Sequence, residues 1–129
     1  WCARQTSHAE IVERYRWADV VVVPLKANRH ASGITAVLEA VFLGKPVVAS
    51  DTGGIDWYFD RDQLALCPVG EAAALRRAVE MIAENPAEAE RRARAAQAAV
   101  TRKNLTSKGY DARHVALTEE LLATPQSAR

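Results

Sequence analysis

The stretch ASGITAVLEAVFLGKPVVAS, residues 31–50, holds one carboxylate, Glu39, in a run that is otherwise almost wholly apolar. An unpaired carboxylate buried away from water is costly, so Glu39 must reach solvent, a cation or the donors of a ligand. Paired hydroxyls such as those of a ribose would serve. An ion pair with Lys45 or an arginine would serve too, as would a narrow solvent edge, and periodicity alone favours these plainer roles. Thr35 and Ser32 lie four and seven residues before Glu39, so at helical spacing the three point to a similar side. A helix starting near Gly33 would present unpaired N–H groups and about half a positive charge, a seat for phosphate. Gly33 removes a side chain where a ligand's oxygens would approach, although a small residue at a helix start is more simply explained by capping. Lys26, Arg29 and His30 sit just ahead, in a polar loop over residues 24–32. As cations they would meet an anion held there; as members of a solvated loop they need no ligand.

The elements that would position these residues follow from periodicity. HAEIVERYRWA spaces Ile11, Tyr15 and Ala18 at helical intervals, and DVVVVPL is a β-branched run of the kind buried on both faces of a parallel sheet. Residues 33–43 predict a helix with Ser32 as N-cap and Gly44 just past the last turn. KPVVAS predicts a second buried strand, DTGG a turn, IDWYF a short aromatic segment and QLALCPV a third, shorter strand. The βαβα order implies an α/β fold with a parallel sheet and right-handed crossovers. After Gly70 the chain turns alanine-rich and charged. Asn85 as cap, Pro86 at the first helical position and Glu88 at the third predict a fresh helix start, and a last helix is expected over about 106–123. TPQSAR reads as a polar tail. Chemistry in such a sheet gathers where the loops after the strands meet helix N-termini, which selects loop 24–32 and the SDTGG turn.

Composition narrows the classes. With 49% apolar and 26% charged residues the chain is an ordinary globular sequence. Seventeen basic against sixteen acidic side chains give no global case for nucleic acid or an anionic membrane. Cys2 and Cys67 have neither zinc nor disulfide-framework spacing, which points to free thiols in a reducing cytoplasm. There is no metal cluster, nucleophile elbow, GxGxxG or Walker loop, and no cofactor is expected. His8 and His114 read as surface residues, Met81 as core filler, and Trp57, Tyr58 and Phe59 as core packing or, less often, an acceptor-facing wall. The chain begins at Trp1 and its single methionine is Met81, so a fragment of a longer protein is expected. No signal peptide or membrane span is apparent, so a cytoplasmic protein, at most peripheral at the inner face of the membrane, is expected.

ADVVVVPL, ASGITAVLEAVFLGKPVVASDTGG and the helical tail resemble, in order and spacing, the nucleotide-sugar-binding C-terminal domain of the group-one glycosyltransferases of the GT-B fold. The resemblance runs from about His8 to about Leu122 and is densest over 32–54. It implies a Rossmann-like domain, here a partial one with a βα core over about 7–70, a helical region over 71–123 and a tail at 124–129. It also implies transfer of a sugar from a nucleoside-diphosphate sugar to a glycan, lipid-linked or small-molecule acceptor, usually with retention and without bound metal. The missing N-terminal domain would bring the acceptor, so this chain alone should bind rather than turn over. Glu39 resembles the Glu that holds the ribose, and Gly33, Ile34 and Thr35 the helix start that meets the diphosphate. Where the family carries an earlier, sugar-contacting Glu, this chain has Ala31; Gly33 lies six residues before Glu39, where many relatives have a glycine five before. Asn28, Arg29 or His30 are candidates to replace that sugar contact. Two other readings are a receiver-like signalling domain, for which Asp51 alone supplies too few carboxylates, and a non-catalytic interaction domain, to which Ala31 lends weight.

Overall fold

The computed structural model describes residues 7–28, 30 and 32–123. Helix α1 (His8–Trp17) starts at a capping box: the Ser7 hydroxyl accepts from the Glu10 N–H, and the Glu10 carboxylate accepts from the Ser7 N–H at 2.8 Å. Strand β1 (Val21–Val23) leads through loop 24–33 into α2 (Ile34–Phe42) and β2 (Val47–Asp51). Strand β3 (Ala65–Pro68), α3 (Ala72–Glu84), α4 (Pro86–Arg102) and α5 (Ser107–Ala123) complete the chain. The strands form a parallel sheet in the order β1-β2-β3, with Val22 opposite Val48 and Ala49 opposite Leu66. This is the Rossmann-like arrangement expected, a parallel sheet flanked by helices with a helical C-terminal part.

The central strand explains its own sequence. Val47 and Ala49 pack with α2 and α4 on one face, while Val48 packs with α3 on the other, so an unbroken apolar run is what a strand covered on both faces requires. β1 differs from that expectation. It is an edge strand and Val22 is 38% exposed, because α3 lies over β2 and β3. The link from β2 to β3 is not a helix but a set of turns that drives Ile55, Phe59 and Leu64 into the core. In α4, Ala89, Ala93, Ala96 and Ala99 form a buried stripe at helical spacing, and their small side chains let the helix lie close against α2 and α3.

Helix α2 begins one residue later than Ser32 would place it. Gly33 is the N-cap, in the left-handed region at φ 73°, and no side chain caps the helix, so Ser32 is not the cap. A Cβ at Gly33 would lie 2.9 Å from Val23 Cγ1 and 3.0 Å from Leu25 Cδ2, so both conformation and contact with β1 demand glycine. The other end matches the sequence: Gly44 is left-handed at φ 70°, Lys45 N–H donates to Ala40 O and Gly44 N–H to Val41 O, each at 2.9 Å, the Schellman pattern. Asn85 stands at the N-cap position of α4 with Pro86 next, but its amide turns back to donate to Met81 O at 3.0 Å, so it closes α3 instead. Met81 itself is 37% exposed and is not core filler.

Candidate functional site

The buried face of α2 is made by Val37, Ala40 and Val41, each 0% exposed. Thr35, Glu39 and Phe42 lie on the opposite side, and with Ile34 and Leu38 at the flank, which also pack against the core, they form one wall of a groove of about 810 Å³. Trp57 and Tyr58 form its end, their rings edge to face at 5.1 Å, and Lys103 Nζ holds the backbone there by donating to both carbonyls at 3.2 and 3.0 Å. Phe59, the third aromatic of that segment, is core. The far wall comes from α5 and the turn before it, chiefly Thr106, Ser107, Tyr110, Asp111 and His114. Tyr110 and His114 are in ring contact at 4.2 Å, so His114 is a surface residue that also faces the groove. The volume lies within the range of small-molecule sites, and the wall is apolar with a few polar groups.

Glu39 is half-buried, and its partner is neither Lys45 nor an arginine. Lys45 Nζ donates to Arg16 O at 2.8 Å, closing the end of α1. The Tyr15 phenol donates to Glu39 Oε2 at 2.9 Å, with Ala36 O at a marginal 3.5 Å. Burial, followed by the hydrogen bond to Glu39 and the nearness of its charge, pushes the Tyr15 hydroxyl up from 10.0 to about 12, so it remains a donor at any physiological pH. Among the described residues Glu39 makes no ion pair, and Oε1 accepts no hydrogen bond from the protein. One carboxylate oxygen is thus held by a neutral donor, and the side chain lines the groove.

The predicted site residues divide. Glu39, Ile34 and Thr35 share the groove, and the N–H groups of the first turn of α2 have no partner within the helix. Ser32 is half-buried and its N–H donates to His30 O at 2.7 Å. Lys26 is exposed and lies outside the groove wall. Arg29 and Ala31 fall outside the described residues. In the preceding loop Asn28 bridges Lys26 O and His30 N–H, and Ser50 Oγ accepts from Leu25 N–H at 3.0 Å, tying the ends of β1 and β2 together. At the end of β2, Asp51 pairs with Arg61 at 2.5 Å. Among the described residues no group of three or more His, Cys, Asp or Glu is placed to hold a metal ion, and no helix is long and apolar enough to cross a membrane.

Sequence reasoning missed Tyr15 as a site residue and α5 as a wall. A signal for Tyr15 was present: it is the polar-tipped member of the apolar series Ile11, Tyr15, Ala18, and a buried tyrosine hydroxyl needs a partner.

Comparison with known proteins places the chain in a family. The model of the family "Glycosyl transferases group 1" matches residues 3–101, from α1 nearly to the end of α4. Among curated proteins, the glycogen synthases of Mycobacterium tuberculosis strains CDC 1551 / Oshkosh and ATCC 25618 / H37Rv are each 35% identical over 95 residues. The aligned part is 73% of this chain and 22% of each relative, so the chain spans only a minor part of their length. No solved structure matches significantly. With a parallel sheet flanked by helices and a family match over most of its length, the chain belongs to the group 1 glycosyl transferases.

Proposed function

We propose that this chain holds the donor of a glycosyl transferase, a nucleoside-diphosphate sugar, along the groove face of α2. The carrying observation is Glu39: a carboxylate on an apolar helix that lines the groove and has no ion-pair partner among the described residues. Ribose hydroxyls are suitable donors for that carboxylate. Ile34 lies five residues toward the helix N-terminus, about 7.5 Å at 1.5 Å per residue, so a diphosphate can reach the first turn while the ribose stays at Glu39. In this reading the N–H groups of Ile34 and Thr35 and the helix dipole meet the phosphate charge, with Ser32, Gly33 and Lys26 preceding them in the chain, and Arg29, which lies outside the described residues, is a further candidate from the sequence. Charge developing on the leaving diphosphate is offset by these groups without a metal ion. The sugar passes to an acceptor, with retention, and similarity to glycogen synthases supports a saccharide acceptor and glycan biosynthesis. The groups acting on the acceptor side belong to a further domain.

Calorimetric titration with UDP, ADP and GDP beside uridine, adenosine and guanosine tests the reading. At least one diphosphate should bind, and more tightly than its nucleoside. No binding, or equal affinity for nucleoside and diphosphate, would remove the donor site from α2.

A further inference from the structure

We propose that Tyr15 is a positioning residue for the donor: its phenol holds the Glu39 carboxylate in the orientation that presents Oε1 to the ribose hydroxyls. The inference rests on the ribose reading of Glu39 given above. A glutamate side chain on a groove wall has three torsions to fix, and fixing them at binding costs affinity. Here they are fixed beforehand. A tyrosine hydroxyl has one proton to give, and at 2.9 Å against 3.5 Å that proton goes to Glu39 Oε2 rather than Ala36 O. The ring of Tyr15 packs against the main core cluster, so the hydroxyl cannot follow a wandering carboxylate; the carboxylate must come to it.

α1 is itself anchored at both ends. Ser7 and Glu10 close its first turn, and Lys45, at the corner after α2, caps its last turn through Arg16 O. Tyr15 and Lys45 therefore tie α1 to the middle and to the end of α2. A lysine at position 15 would hold Glu39 as firmly but would neutralise it. A phenol fixes the carboxylate and leaves its charge for the ligand, so the bonds made to ribose are of the stronger, charge-assisted kind.

The test compares UDP, ADP and GDP with their 2′,3′-dideoxy counterparts, which lack the hydroxyls that Glu39 would accept from. The wild-type chain should prefer the ribose form of whichever diphosphate binds, and Glu39→Gln should erase most of that preference. Tyr15→Phe, which keeps the ring in the core, should weaken the ribose form about fivefold to tenfold and leave the dideoxy form unchanged. Tyr15→Met, equally apolar but without the ring, should shrink the preference in the same way. If Tyr15→Phe weakens both forms alike, or neither, while Glu39→Gln still erases the preference, Tyr15 serves the fold only and Glu39 keeps its role. If the wild-type chain shows no preference for ribose, or binds none of the three diphosphates, the reading of Glu39 fails and the role of Tyr15 fails with it.

Discussion

Glu39→Gln separates a ligand residue from a structural one because it keeps size and helix propensity while removing charge. In the wild type, Oε2 is engaged by Tyr15 at 2.9 Å, Oε1 has no donor among the described residues, and the side chain lines the groove. The amide offers one acceptor where the carboxylate offered two, so either Tyr15 or the ribose must face an N–H. Hydrogen bonds to a charged group contribute about 1.5–3 kcal/mol and neutral ones about 0.5–1.5, so losing the charge and one acceptor should cost roughly 1.4–2.8 kcal/mol of binding. That is a fall of about one to two orders of magnitude in nucleoside diphosphate affinity. Folding should change less, because the Tyr15 bond survives in neutral form; a loss below about 1 kcal/mol, or a few degrees in Tm, is expected. Calorimetric titration and a thermal melt on the same variant measure both quantities. Unchanged affinity together with a clear loss of stability would show that Glu39 serves only to satisfy Tyr15.

Gly33→Ala should destabilise the chain by about 1–3 kcal/mol, since it forces a Cβ into the left-handed region and against the stiff Val23 side chain at 2.9 Å; an unchanged denaturation midpoint would refute this. At Gly109 a Cβ would collide with the Asn104 carbonyl oxygen, so Gly109→Ala should displace α5 from the turn at Asn104 and cost upwards of about 2 kcal/mol, which a melt unchanged within error would contradict. The Tyr15 hydroxyl is raised from 10.0 to about 12 in the fold, so its contribution is complete below pH 10 and is lost as pH rises through about 12. The stability gap between wild type and Tyr15→Phe should therefore narrow from pH 8 to pH 11, by about 1 kcal/mol for this partly exposed group, and a constant gap in denaturant titrations would count against the assignment. Lys26→Ala should weaken binding of a nucleoside diphosphate more than of its nucleoside, whereas equal effects would mean that Lys26 only faces solvent.

What the sequence showed and what it concealed divide along physical lines. β2 was legible because a strand covered on both faces must be apolar throughout, and the end of α2 because a left-handed residue there is nearly always glycine. The start of α2 was misread because serine is a good cap in isolation, whereas the deciding fact is the press of Val23 and Leu25 on Gly33, a tertiary contact. Asn85 was legible as a boundary but not as to which helix it closes, since one side chain at the junction of α3 and α4 can serve only one of them. Glu39 stood out by its chemistry. Its partner, 24 residues away on another helix, could not be found from any local period.

The spacing within α2 makes the site residues separable from the core. Val37, Ala40 and Val41 are wholly buried, so the helix is held by residues three and four apart on one side. Thr35 and Glu39 form a parallel row on the other side, one turn apart, with Ile34, Leu38 and Phe42 beside them. Changes on the second row leave the first intact, which is why loss of binding without loss of fold is a readable outcome at Glu39. The opposite wall is built differently. Residues 110–123 of α5 are all exposed, Leu121 and Leu122 at 64% and 82%, and the helix is seated through Leu105 and Gly109 at its start. Few buried contacts mean a low cost of local opening, so the α5 wall can shift while the α2 wall stays fixed. In the proposed reading, recognition that depends on angle, ribose hydroxyls on a carboxylate held by Tyr15, falls to the better-packed wall.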